Sequence, residues 1–80
     1  MDREEILDRV KDVVSDVLGV PVDEITDDDN FVVDLGAESI QSLELVAAFE
    51  EEFEIEMDEQ EALEVQTVGD AVDFIAGYLE

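Results

Sequence analysis

The stretch Asp34-Leu35-Gly36-Ala37-Glu38-Ser39-Ile40 sets a single hydroxyl, Ser39, where a turn gives way to a helix. A serine nucleophile wants a base beside it, usually histidine, and this chain has no histidine and no cysteine. Two readings of Ser39 stand. It is an ordinary N-cap, whose oxygen accepts a backbone N–H of the first turn. Or it is a hydroxyl that another enzyme modifies, because the free N–H groups and positive dipole of a helix start favour an attached phosphate. Gly36 and Ala37 keep the approach to it uncluttered. Local physics alone favours the cap. Paired carboxylates could serve as acid and base, as in glycosidases, but among 26 acidic residues such pairs arise by chance. Asp27-Asp28-Asp29-Asn30 lacks the spaced acids, sixth-position glycine and terminal glutamate of a calcium loop, so a diffuse, weak divalent site stays open but a dedicated one is not expected.

The charge narrows the partners. The formal net charge is -23, and Arg3, Arg9 and Lys11 are the only cations. Residues 12 to 80 hold 22 acids and no base. Nucleic acid and anionic membrane are excluded on that ground, because phosphate contacts need Lys and Arg. A basic protein surface is the natural partner, and a merely very soluble surface is the bland alternative. A hydrophobic share of 46% is enough for a packed core, so the chain should fold. One small domain covering 1–80 is expected. No run approaches a membrane span and no basic-then-apolar leader is seen, so a soluble, cytoplasmic protein is expected, without membrane insertion.

The elements that must position Ser39 follow from periodicity. Ile6, Leu7, Val10, Val13, Val14, Val17 and Leu18 put one apolar face on a helix over 3–18, with Asp2 as its N-cap and Gly19 as its stop. Residues 19–38 have no period and carry Pro21, the acidic run and Gly36, which read as a long loop. Val20, Val22, Ile25, Phe31, Val32, Val33 and Leu35 should pin that loop to the core. A second helix spans 39–53. Leu45, Val46, Phe49 and Phe53 fill one sector of it, and Ile40, Leu43 and Ala47 the next. Together these exceed the roughly 100° that a surface helix needs to face its core. Either both sectors are core, or the second is an apolar strip left for a partner between Glu44, Glu50 and Glu51. Residues 58–64 suit a short helix, with Asp58 and Glu61 in capping-box spacing. Residues 68–79 form the last, capped by Thr67, with Val68, Ala71, Val72, Ile75 and Leu79 as its buried stripe. The fold class is all-α: a small four-helix bundle, three longer helices and one short, with a long structured loop between the first two.

"DLGAESI", followed by "LELVAAFEEEFEIEM" and "TVGDAVDFI", resembles the acyl carrier proteins of the bacterial, free-standing type, over nearly the whole chain. The resemblance implies a covalent 4′-phosphopantetheine cofactor on Ser39 Oγ, attached by a phosphopantetheinyl transferase. The chain would then shuttle acyl groups as thioesters for fatty-acid or related lipid biosynthesis, as a monomer and not as an enzyme. It implies that the second helix docks acyl synthases and acyl transferases through basic patches. The docking set carried over is Glu38, Glu44, Glu50, Glu51 and Glu54, around Ile40, Leu43 and Ala47. It implies a core that shelters the acyl chain near Val46, Phe49, Ile55, Met57, Ala62 and Val65. Ser42 aligns with the family's threonine, one turn into the helix on its core side, and is not expected to be modified. Two departures stand out: Glu38-Ser39-Ile40 replaces the usual Asp-Ser-Leu, and Asp58 stands where proline is common.

A carrier of polyketide or aminoacyl units would use the same Ser39. An acidic interaction protein without an arm is the alternative of a different class. Whichever holds, like charges without counter-charges repel most in the compact state. Raising sodium chloride from 0.1 M to 1 M shortens the Debye length from about 10 Å to about 3 Å and should raise the melting temperature. Magnesium at matched ionic strength should raise it further, by bridging neighbouring carboxylates of the folded form. Melts followed by circular dichroism check both; a melting temperature indifferent to both ions would show that the acids are compensated within the fold.

Overall fold

A computed structural model describes residues 1–79. Four helices follow the sequence periodicity closely: α1 at Arg3–Leu18, α2 at Ser39–Phe53, α3 at Glu59–Glu64 and α4 at Val68–Leu79. No strand is present among the described residues; the one β-type feature is an isolated bridge between Asn30 and Thr67. No helix among them is long and apolar enough to cross a membrane.

Local chemistry sets the helix ends. The Glu5 N–H donates to Asp2 Oδ1 at 2.9 Å, and Gly19 closes α1 with its N–H on the Ser15 carbonyl at 2.9 Å. Asp58 accepts from the Glu61 N–H at 3.0 Å, so the short helix begins one residue later, at Glu59. Thr67 Oγ1 accepts from the Asp70 N–H at 3.1 Å. Each such cap satisfies a donor that the helix cannot satisfy itself.

α1 is the hub and packs against both α2 and α4. Its Ile6, Val10, Val13 and Val14 are buried against Leu45, Phe49 and Phe53 of α2 and Val68, Ala71, Val72 and Ile75 of α4. No polar or charged side chain is buried among the described residues. α3 has no buried residue and rests on α2.

The long connection between α1 and α2 is ordered by backbone bonds. It makes a single 3₁₀ turn at Val22–Glu24. Its acidic run then lies along the start of α4: the Gly69 N–H donates to the Asp27 carbonyl at 2.9 Å, the Val68 N–H to Asp29 at 3.0 Å, and the Phe31 N–H to Gln66 at 2.9 Å. A Cβ at Gly69 would stand 3.2 Å from the Asp27 carbonyl oxygen, so glycine is what lets the loop come this close. Ile25 and Phe31 anchor the loop in the core, and Val20 and Leu35 are half-buried. The other three apolar loop residues do not anchor it. Val22, Val32 and Val33 are exposed, the last at 80%. For Val32 and Val33 the reason is the turn built on Asn30, described below.

The few cations serve as clasps. Arg3 reaches Asp73 at 3.1 Å and Asp27 at 3.3 Å, tying α1 to α4 and to the loop. Its hydrogen bonds to Asp73 and Asp27 hold the guanidinium above its ordinary value. Arg9 Nε donates to Glu52 Oε2 at 2.7 Å, its Nη2 to the Glu52 carbonyl at 2.6 Å, and its guanidinium sits 4.8 Å from the centre of the Phe53 ring. The clasp is only partly exposed, so water screens it less than a surface pair. Arg9→Met keeps the apolar stem and removes the charge, and should lower stability by about 1–2 kcal/mol. Lys11→Met, which makes no ion pair among the described residues, should change it by less than about 0.5 kcal/mol. Urea titration compares the two; equal midpoints would mean that the clasp contributes only net charge.

Candidate functional site

The site begins at Asn30. Its side-chain oxygen accepts from the Val32 and Val33 N–H groups, both at 2.9 Å. Its own N–H donates to Asp34 Oδ2 at 2.7 Å, and its carbonyl accepts from Asp34 and Leu35 at 2.9 and 3.0 Å. Residues 30–35 are thereby folded into a tight turn. Gly36 takes φ +74°, a conformation glycine adopts without cost. The Ala37 N–H then donates to the Phe31 carbonyl at 2.8 Å, and Ala37 is buried. The chain leaves this fixed point directly into α2.

The cap of α2 is Glu38, not Ser39. The Glu38 N–H donates to Gln41 Oε1 at 2.9 Å, and the Glu38 carbonyl accepts the first helical bond from Ser42 at 3.0 Å. Ser39 is therefore the first helical residue. Its side chain is exposed and its hydroxyl has no hydrogen bond among the described residues. The other two serines differ. Ser15 is half-buried in α1, and Ser42 Oγ donates to the Glu38 carbonyl at 3.4 Å. Of the three serines, Ser39 alone is exposed with an unengaged hydroxyl, and it sits among the N–H groups of a helix start, of which the Glu38 carboxylate takes the one at Gln41. A phosphodiester-linked group fits that position.

The wide apolar face of α2 divides as its two sectors suggested. Leu45, Phe49 and Phe53 are buried and Val46 half-buried, while Ile40, Leu43 and Ala47 face solvent. Ile40 is 68% exposed and Leu43 47%. The second sector is therefore not core. Glu38, Glu44, Glu51 and Glu54 are exposed around it. Glu50 is half-buried and turned toward the α3 connection, where its carboxylate accepts from the Met57 N–H at 2.8 Å.

Below this face lies an apolar cavity of about 250 Å³. Val46, Phe49, Met57, Ala62 and Val65 line it, joined by Phe31, Phe74 and Ile75. Ile55 does not; it packs half-buried against the core where the chain reverses after Glu54. Ser42 and Val46 belong to the lining, and both lie on Ser39's side of α2, Val46 within about 20° of it. No group of three or more His, Cys, Asp or Glu side chains among the described residues is arranged to hold a metal ion.

Three contributors escape a reading of the sequence. Asn30 organises the turn; its type and place before a run of backbone donors were the available signal. Tyr78 Oη accepts from the Asp58 N–H at 3.0 Å, a bond that proline at 58 could not donate. Glu50 ties α2 to the α3 connection through a bond between a side chain and the backbone that periodicity cannot reveal.

Residues 8–75 match the family model described as a phosphopantetheine attachment site. The chain is 44% identical over 75 residues to an acyl carrier protein of Clostridium acetobutylicum, covering 94% of this chain and 97% of that one. Its fold is similar to that of an acyl carrier protein from Enterococcus faecalis noted for high thermal stability, with a TM-score of 0.78 and 38% identity over 98% of this chain and 99% of that one. It is also similar to a candidate acyl carrier protein from Mycobacterium tuberculosis, with a TM-score of 0.84 and 26% identity over 91% and 97% of the two chains.

One residue of the exposed face is held in an unfavourable backbone. Glu54 closes α2 at φ +56°, the only residue other than glycine with positive φ among those described. Side chains there crowd the following carbonyl. Glu54→Gly should relieve this and raise stability by about 0.5–1 kcal/mol, read from urea unfolding. A loss of stability would mean that the Glu54 side chain itself supports the fold.

Proposed function

The chain belongs to the phosphopantetheine attachment family and is an acyl carrier protein with a covalent 4′-phosphopantetheine, a carrier and not a catalyst; from that premise we propose that Ser39 Oγ is the point of attachment. The observation that carries the proposal is the exposed, unbonded hydroxyl at the first position of α2. The group, once attached, supplies the terminal thiol that this cysteine-free chain lacks, and so holds an acyl group as a thioester. The protein's own residues supply position. The Asn30 turn and the buried Ala37 fix where α2 starts, Glu38 caps it, and Ser39 is left facing solvent. The chain needs no base of its own, because Ser39 is the substrate of another enzyme.

Enzymes of acyl synthesis are the partners that the family implies. We infer that the phosphopantetheinyl transferase, the acyl synthases and the acyl transferases meet the outer face of α2 through Lys and Arg patches. Glu38, Glu44, Glu51 and Glu54 would supply the charge, and Ile40, Leu43 and Ala47 the apolar contact. Glu50 would contribute less, since its carboxylate already serves the Met57 N–H. Fatty-acid or related lipid assembly is the pathway proposed, in the cytoplasm, with the carrier working as a monomer and a single acyl-carrier domain spanning 1–80.

The test is intact mass after incubation with coenzyme A and a phosphopantetheinyl transferase. Ser39→Ala should gain no arm, and Ser42→Ala should gain one. Because the Ser39 hydroxyl caps nothing, Ser39→Ala should shift stability by less than about 0.5 kcal/mol. Reversing Glu44 and Glu51 to Lys should raise the transferase KM roughly five- to tenfold and flatten its salt dependence. The same reversals at Glu4 and Glu5 on α1 should have little effect. Equal effects at both places would show that net charge alone is read.

A further inference from the structure

Two valines on the turn before Ser39 are largely exposed. Val32 is 59% exposed and Val33 80%, the most exposed of the large apolar side chains among the described residues. Scattered exposed apolar residues are ordinary on a protein surface. These lie close together in the chain. Val32, Val33, Ile40 and Leu43 all fall within twelve residues of chain around Ser39, and they make half of the large exposed apolar side chains described. The turn that displays the valines is also firmly built. Asn30 holds both valine N–H groups, Asp34 holds the Asn30 N–H, and the Ala37–Phe31 bond closes the loop two residues before Ser39. A loop pinned this tightly gives up little entropy when a partner closes on it.

We propose that Val33 is an apolar contact point for the phosphopantetheinyl transferase, received in an apolar depression rimmed by Lys or Arg. The inference rests on attachment at Ser39 and deepens it. The chemistry of the step selects the transferase over other partners. Enzymes that act on the acyl thioester dock on α2 but react at the far end of the arm, so their centres need not approach Ser39. The transferase must bring its centre to Ser39 Oγ itself, where that oxygen gives its proton to a base of the transferase, forms a bond to the β-phosphorus of coenzyme A, and breaks the pyrophosphate P–O bond to release adenosine 3′,5′-bisphosphate. The surface within a few residues of Ser39 is therefore what it must touch. Charge completes the match. Asp28, Asp34 and Glu38 are exposed around the turn, and the chain beyond residue 11 has no base. A basic rim with an apolar floor is complementary to a valine set among carboxylates. Val32 shares the turn but also lines the cavity, so Val33 is the cleaner probe.

The experiment measures the transferase KM for the apo protein with coenzyme A, for wild type, Val33→Ser, Val33→Glu and Val33→Ile. Val22→Ser, an exposed valine on the 3₁₀ turn away from Ser39, is the control. Val33→Ser should raise KM about three- to tenfold while kcat and helix content hold, and Val33→Ile should keep the wild-type value. Val33→Glu is decisive. If only charge matters, one more acid should leave KM unchanged or lower it; on this proposal it raises KM at least as much as serine does. Unchanged KM for Val33→Ser, or an equal rise for Val22→Ser, overturns the contact. If wild type gains no arm at all, the carrier reading fails and Val33 with it, an outcome plainly distinct from a wild type that is modified and a variant that behaves identically.

Discussion

Twenty-two carboxylates repel one another across residues 12–80, and no cation in that stretch relieves them. The fold answers with apolar burial and with the placement of its few bases. The core is purely apolar, without a buried polar or charged side chain among the described residues. α1 is the hub, and the cations all lie in the first eleven residues. Arg3 clasps α4 and the loop, and Arg9 clasps the end of α2 through Glu52 and the Phe53 ring. Every ion pair among the described residues therefore involves α1. The outer face of α2 is left wholly acidic, with its apolar strip bare.

That division is also a division of labour. One sector of α2 closes the core and the cavity, and the other faces solvent beside Ser39. If the exposed face docks partners as proposed, stability and function compete at its boundary. Glu54 keeps a carboxylate on the exposed face at the cost of left-handed backbone, where glycine would sit without strain. Glu50 goes the other way and serves the Met57 N–H. Neighbours in sequence are thus assigned to different tasks by where the helix ends.

Periodicity made the four helices legible, including their caps at Asp2, Asp58 and Thr67, because each rests on spacing within one short segment. It also isolated Ile40, Leu43 and Ala47 as surplus to the core. The family came from motif spacing. What the sequence hid depends on distant backbone. The loop's bonds to Gln66, Val68 and Gly69 join segments about forty residues apart, and composition alone suggested that Val32 and Val33 would anchor that loop. Their outward display follows from Asn30 and Asp34, whose side chains complete a turn that hydrophobicity cannot sense. The shift of the α2 cap from Ser39 to Glu38 has a similar origin, since the Glu38–Gln41 bond fixes where helical backbone begins.

The central claim is that Ser39 Oγ, and no other hydroxyl, carries the arm. The most direct measurement is site localisation on the wild-type protein. Trypsin has no site after Lys11, so the loaded chain would be cut at its acidic residues and the fragments sequenced by tandem mass spectrometry. One arm per chain is expected, on the fragment holding Ser39 and on that residue. An arm on Ser42 or Ser15, or no arm under conditions that load a known acyl carrier protein, would contradict it.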